Sequence, residues 1–147
     1  MLQGKMTPKI RVIFVCTANA ARSQMAEGLL RAKYGDRYEV FSAGTRQTKV
    51  SVSAIAVMQE IGIDISHHRS KTLDEFRGIS FDIAVTLCDN AHAICPIVSG
   101  AKKTIHHGFV EPHMIPGTGE TILDGYRRVR DEIADWIDKE FGTSPKK

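Results

Sequence analysis

Apolar and β-branched residues crowd the stretch Ile10-Arg11-Val12-Ile13-Phe14-Val15, which carries a single charge. Such a run predicts a strand buried on both faces, as in a parallel sheet. The period then changes. Met25, Ala26, Leu29 and Leu30 recur at helical spacing among good helix formers, predicting a helix from about Ser23 to Tyr34 that ends at Gly35-Asp36. Tyr38-Glu39-Val40-Phe41-Ser42 alternates as a second strand, and Val52, Ile55, Ala56 and Ile61 suit a second helix capped by Gly62. Phe81 to Leu87 reads as a third strand, Lys103 to His106 as a weak fourth, and Leu73 to Phe76 as a short helix. The clearest stripe comes last, with Ile122, Tyr126, Val129, Ile133, Trp136 and Ile137 on one face of a C-terminal helix. Strands alternating with helices predict an α/β fold, a parallel sheet covered on both faces.

Between the first strand and the first helix lies Cys16-Thr17-Ala18-Asn19-Ala20-Ala21-Arg22-Ser23, a turn of small and polar residues. A turn that opens into a helix leaves backbone N–H groups free, and these and the positive helix end attract anions. Residues 17–22 thus form a candidate oxyanion cradle: Thr17, Ala18, Asn19, Ala20 and Ala21 supply backbone, and Arg22 supplies a planar fork that matches two oxygens of a phosphate-like anion. Cys16 beneath it is the candidate nucleophile. A helix N-terminus and an adjacent cation favour a thiolate, and the hydroxyl of Ser23 or Thr17 is placed to donate to it.

With 147 residues the chain is expected to be one domain, its ends at 1–9 and 142–147 forming loose tails. No apolar run reaches the roughly 20 residues of a membrane helix, and no export signal precedes the first strand. The net charge of +3 is mild. Arg127, Arg128 and Arg130 alternate with Asp124, Asp131 and Glu132, the pattern of a solvated helix face, so neither nucleic acid nor membrane is expected as a partner. Three cysteines without an export signal point to reactive or metal-binding thiols in a reducing, cytoplasmic setting.

Cys16 and Cys88 each follow the carboxyl end of a predicted strand, where open sheets of this kind bind ligands. If those strands are neighbours, about 4.8 Å apart, the two thiols fall within disulfide reach, which needs Cα atoms within about 7 Å. Cys88, His92 and Cys95 also suggest zinc, but closed sites take four ligands and no fourth is spaced nearby. His67-His68 and His106-His107 read as solvated or loop histidines. A helix from Cys88 to Cys95 would separate its ends by about 10.5 Å at about 1.5 Å per residue. A disulfide between those two cysteines therefore requires such a helix to unwind.

Cys-x5-Arg-Ser after the first strand, followed by Gln24-Met25-Ala26-Glu27, resembles the low-molecular-weight protein tyrosine phosphatase superfamily. Ser42-Ala43-Gly44, Gly62-Ile63-Asp64-Ile65-Ser66, Val85-Thr86-Leu87-Cys88 and Cys95-Pro96 narrow the resemblance to its thioredoxin-coupled arsenate reductases, over about Ile10 to Phe141. That resemblance implies a three-layer sandwich with a four-stranded parallel sheet in the order 2-1-3-4. It also implies a monomeric enzyme with arsenate as substrate, no bound cofactor, and thioredoxin as reductant. The roles it carries over are Cys16 attacking arsenate, Cys88 attacking Cys16 to release arsenite, and Cys95 taking over the disulfide. Glu111, before Pro112, stands where the family has an Asp-Pro general acid.

Departures from the family pattern are Ala18 for glycine, Ala20 for serine, and Lys71 where some members carry an aspartate that helps bind potassium. With Asn19, Glu27 and Ser42 present as weak monovalent-cation ligands, the lysine ammonium is expected to replace the ion's charge. Two other functions use the same residues. One is a phosphatase built on Cys16, Arg22 and Glu111. The other is a non-catalytic module that responds to an oxyanion or a metal.

Overall fold

The computed structural model describes residues 8–87, 98, 100–110, 112 and 120–142, with the side chains of Glu120 and Thr121 excepted. Four strands, β1 (Ile10–Val15), β2 (Tyr38–Ala43), β3 (Phe81–Thr86) and β4 (Ala101–His106), form one sheet in the order β2-β1-β3-β4. All three pairings are parallel. The helices are α1 (Arg22–Tyr34), α2 (Val52–Gln59) and α3 (Glu120–Phe141), and Leu73–Phe76 is a 3-10 turn.

β1 is central because Val12, Ile13, Phe14 and Val15 are each fully buried, so both its faces must be covered. Val12 and Phe14 face a cluster with Met25, Leu29 and Leu30 of α1, Val57 and Met58 of α2, and Val129, Ile133 and Ile137 of α3. Ile13 and Val15 face Phe81, Ala84, Phe41 and the 3-10 turn through Leu73 and Phe76. The α3 stripe is therefore core from Tyr126 to Ile137, while Ile122 at its start is exposed. Its end is pinned by Phe141, which meets the rings of Phe14, Tyr38 and Trp136 edge-on at 6.3, 5.2 and 5.8 Å.

Gly62 stops α2 as expected, at φ +81°. The Ile63 N–H reaches back to the Met58 carbonyl and the Gly62 N–H to that of Gln59, both at 3.0 Å, the paired bonds of a Schellman end. One surface reading is corrected: Arg130 is buried, not solvated. Its Nη1 donates to the Val57 carbonyl of α2 at 2.8 Å and to Glu60, while Nε donates to Asp131. The helix–helix seam needs a cation at the C-terminal end of α2, where carbonyls are left over.

The order β2-β1-β3 places a topological switch beside β1, and Val15 pairs with Thr86 there. The Leu87 N–H donates to the Val15 carbonyl at 2.8 Å, so pairing continues one residue beyond β3. The loop after β1 opens at this point.

Candidate active site

The loop from Cys16 to Ala21 is held from outside through its carbonyls. Thr17 O accepts from the N–H of Thr45 and Arg46, and Ala18 O from the hydroxyls of Thr48 and Ser70. Asn19 O accepts from Gln24 Nε2 and Ala20 O from the Ser51 N–H. A trans peptide sets its N–H opposite its carbonyl, so the N–H groups of residues 18 to 21 turn away from these partners. α1 begins there with Ala21 as N-cap and no side-chain cap, which leaves its first N–H groups uncapped. The arrangement suits a tetrahedral anion.

Cys16 is 2 % exposed, with Sγ 2.9 Å from Ser23 Oγ. The direction of that contact follows from Asn19. The Lys71 backbone N–H, which can only donate, lies 2.8 Å from Asn19 Oδ1, so Nδ2 faces Ser23 Oγ at 2.8 Å and Ser42 Oγ at 3.0 Å. Ser23 oxygen already accepts from Asn19, and its proton is left for the Cys16 sulfur. Asn19 has φ +51°, a left-handed backbone that Asn tolerates better than most residues. Ala18 is not in that region, so alanine in place of glycine costs no backbone strain there.

Arg22 is buried, and its Nη1 donates to the carbonyls of Leu87 at 3.3 Å and Phe109 at 3.1 Å. It thereby ties the loop to the ends of β3 and the chain after β4. Cys88 follows Leu87 in sequence; Cys88, Cys95 and Glu111 lie outside the described residues, as do Asp89 to Ala93. Of the expected site residues, the fold brings together Cys16, Thr17, Ala18, Asn19, Ala20, Ala21, Arg22 and Ser23, with Glu27 and Ser42 behind them.

Glu27 and Ser42 do not complete a fit for a further cation. The Ser42 hydroxyl donates to Glu27 Oε1, Arg31 holds Oε2, and the Lys71 ammonium stands 4.0 Å from Oε1. The carboxylate already faces two cations. Burial draws the Lys71 amine below its ordinary range, opposed by Glu27. Among the described residues, no group of three or more His, Cys, Asp or Glu is gathered to hold a metal.

Sequence patterns missed the back of the loop. Gln24 donates through Nε2 to Asn19 O, Asn19 Oδ1 and Arg69 O, and accepts at Oε1 from His68 Nδ1. Ser70 Oγ donates to Ala18 O and accepts from the Thr48 N–H. The one available signal was a glutamine amid buried helix positions, where an amide needs partners. His68, read as a solvated or loop histidine, lies in a loop but is half-buried against Gln24 and Arg31.

Gly44 shows how tightly the loop is wedged. A Cβ there would stand 2.5 Å from Thr17 O and 2.8 Å from Asn19 N, both backbone. Gly44→Ala is expected to destabilise the fold by about 1–3 kcal/mol and to weaken phosphate binding, measured by urea denaturation with and without phosphate.

The family model of the low molecular weight phosphotyrosine protein phosphatases matches residues 11–139. The chain belongs to that family. Within the phosphatase family it is 43% identical over 122 residues to an arsenate reductase of Halalkalibacterium halodurans, covering 83% of this chain and 88% of that one. Among solved structures, it superposes on an arsenate reductase in the phosphate-binding state with TM-score 0.75 and 28% identity, over 88% of this chain and 95% of that one. A thioredoxin-dependent arsenate reductase of Corynebacterium glutamicum is similar at TM-score 0.63 and 26% identity, over 93% of this chain and 65% of that larger one. No helix among the described residues is long and apolar enough to cross a membrane.

Proposed function

We propose that this member of the phosphatase family is an arsenate reductase, with Cys16, Cys88 and Cys95 as a thiol–disulfide relay and thioredoxin as the reductant. The observation that carries the reading is the Leu87–Val15 bond of 2.8 Å, which continues the β1–β3 pairing into the loop. Cys16 and Cys88 follow Val15 and Leu87 directly in sequence, which supports a reaction between their thiols. Relatives named arsenate reductase support the substrate. A thioredoxin-dependent neighbour supports the reductant.

Arsenate is a tetrahedral anion, seated by the loop N–H groups, the α1 N-terminus and Arg22. The Cys16 thiolate, stabilised by the Ser23 proton, displaces one oxygen as water and forms a sulfur–arsenic(V) bond. Cys88 then attacks the Cys16 sulfur. The electron pair of the sulfur–arsenic bond passes to arsenic, arsenite departs, and a Cys16–Cys88 disulfide remains. Cys95 attacks Cys88, frees Cys16, and leaves a Cys88–Cys95 disulfide that a thioredoxin dithiol reduces by exchange. Glu111 serves as the proton donor to the departing oxygen.

The test mixes the protein with arsenate, thioredoxin, thioredoxin reductase and NADPH. The wild type is expected to turn over continuously, while Cys88→Ser sustains no NADPH consumption, since no thiol at position 88 attacks the Cys16 sulfur and the arsenic adduct is not resolved. Undiminished turnover by Cys88→Ser would refute the relay. Phosphate-ester hydrolysis without arsenate reduction would establish instead the second reading, phosphatase chemistry on the same Cys16–Arg22 loop. Binding of arsenate or phosphate without either reaction would leave a non-catalytic module.

A further inference from the structure

Behind the loop six side chains close a ring of hydrogen bonds. His68 Nδ1 meets Gln24 Oε1 at 2.8 Å, and Gln24 Nε2 donates to Asn19 Oδ1 at 3.0 Å. Asn19 Nδ2 donates to Ser42 Oγ at 3.0 Å, and Ser42 donates to Glu27. Arg31 donates through Nη2 to Glu27, and through Nη1 to His68 Nε2 at 3.3 Å, which returns the circuit to its start. Cys16 hangs from this ring through Ser23, whose oxygen accepts from the same Asn19 amide.

The donor directions determine the state of His68. Gln24 Nε2 faces only carbonyl oxygens, so Oε1 faces the imidazole and Nδ1 must donate. Arginine has no acceptor, so Nε2 must accept from Arg31. One ring nitrogen donates and the other accepts, which only neutral imidazole can do. A second proton, on Nε2, would point at a guanidinium.

We propose that His68 is a positioning residue for Cys16 that holds the ring closed only while neutral, so that protonation opens it at Arg31 and slows Cys16. This rests on Cys16 being the reacting thiol, and not on arsenate as its substrate. The groups facing His68 are Glu27 and Arg31 from α1, and Asp64, His67 and Lys71 from its own segment; β2 contributes the Val40 carbonyl, which accepts from Arg31. Burial depresses the His68 imidazole below its ordinary range against the opposing pull of Glu27. The unfolded chain therefore takes up this proton at higher pH than the folded one. The ring's stabilisation is full above the ordinary imidazole range near ~6.5 and is lost as pH falls through the lower folded value.

The experiment follows iodoacetamide alkylation of Cys16 on the full chain by peptide-resolved mass spectrometry, from pH 8 to pH 4.5. Each protein is normalised to its own rate at pH 8. His68→Gln replaces neutral imidazole with an amide that donates, accepts and takes up no proton. The wild type is expected to lose about 3- to 10-fold more than His68→Gln over this range, the worth of one or two hydrogen bonds. His68→Lys, a permanent cation at the same place, is expected to alkylate slowly at every pH. Parallel wild-type and His68→Gln curves would overturn the proposal, and that comparison decides it should His68→Lys fail to fold. Parallel curves with intact arsenate turnover would dismiss His68 alone. Divergent curves without arsenate turnover would keep His68 and dismiss the arsenate reading.

Discussion

Asn19→Ala is expected to lower the folding stability by about 3–5 kcal/mol, a large share of the about 5–15 kcal/mol that folded domains possess. The figure rests on two effects. Alanine at φ +51° carries left-handed strain of about 1–2 kcal/mol that asparagine partly avoids. Removing the amide also strips partners from Ser23, Ser42, Gln24 and the Lys71 N–H, all behind a side chain that is fully buried. An unpaired buried polar group costs about 1–3 kcal/mol, and some relief comes from water entering the space. Urea denaturation gives the stability. Cys16 alkylation should slow as well, because Ser23 is then free to turn its proton elsewhere. Asn19→Asp should retain the φ preference but lose the Nδ2 bonds, and so should fall between wild type and alanine.

Arg22→Lys is expected to reduce kcat/KM for arsenate by about 10²–10³-fold, the usual loss when one preorganised donor to a transition-state anion is removed. Lysine keeps the charge but not the fork. In the structure one guanidinium nitrogen is committed to the Leu87 and Phe109 carbonyls, so the planar group is held across the loop in a fixed orientation. A lysine ammonium can serve those carbonyls or the anion, and its flexible stem fixes neither. Steady-state kinetics and phosphate affinity should fall together. If kcat/KM changes less than about 10-fold, Arg22 is structural and does not hold the anion.

The local motif was legible because its signals are local. A β-branched run, a turn of small residues and a helical period lie within 25 consecutive positions, and each depends on near neighbours alone. The Gly62 end of α2 belongs to this class. The back of the loop does not. His68 lies 44 residues from Gln24, and Lys71 lies 52 from Asn19. Their contacts exist because the parallel sheet returns the chain to the same end after each crossover. Arg130 was misread for a related reason: a charge pattern on α3 looks solvated until α2 is packed against it.

By itself, the sequence determined that β1 is buried, that a turn of small and polar residues from Cys16 to Arg22 leads from it into a helix, and that the strands are parallel. These follow from side-chain period, backbone capacity and residue chemistry, which a chain carries wherever it folds. Only the tertiary structure decided which hydroxyl faces the sulfur, which residue bears the positive φ, where the Lys71 ammonium goes, and that His68 closes a ring in its neutral form. Those are matters of direction, since a hydrogen bond's donor and acceptor are assigned only when every neighbour is in place.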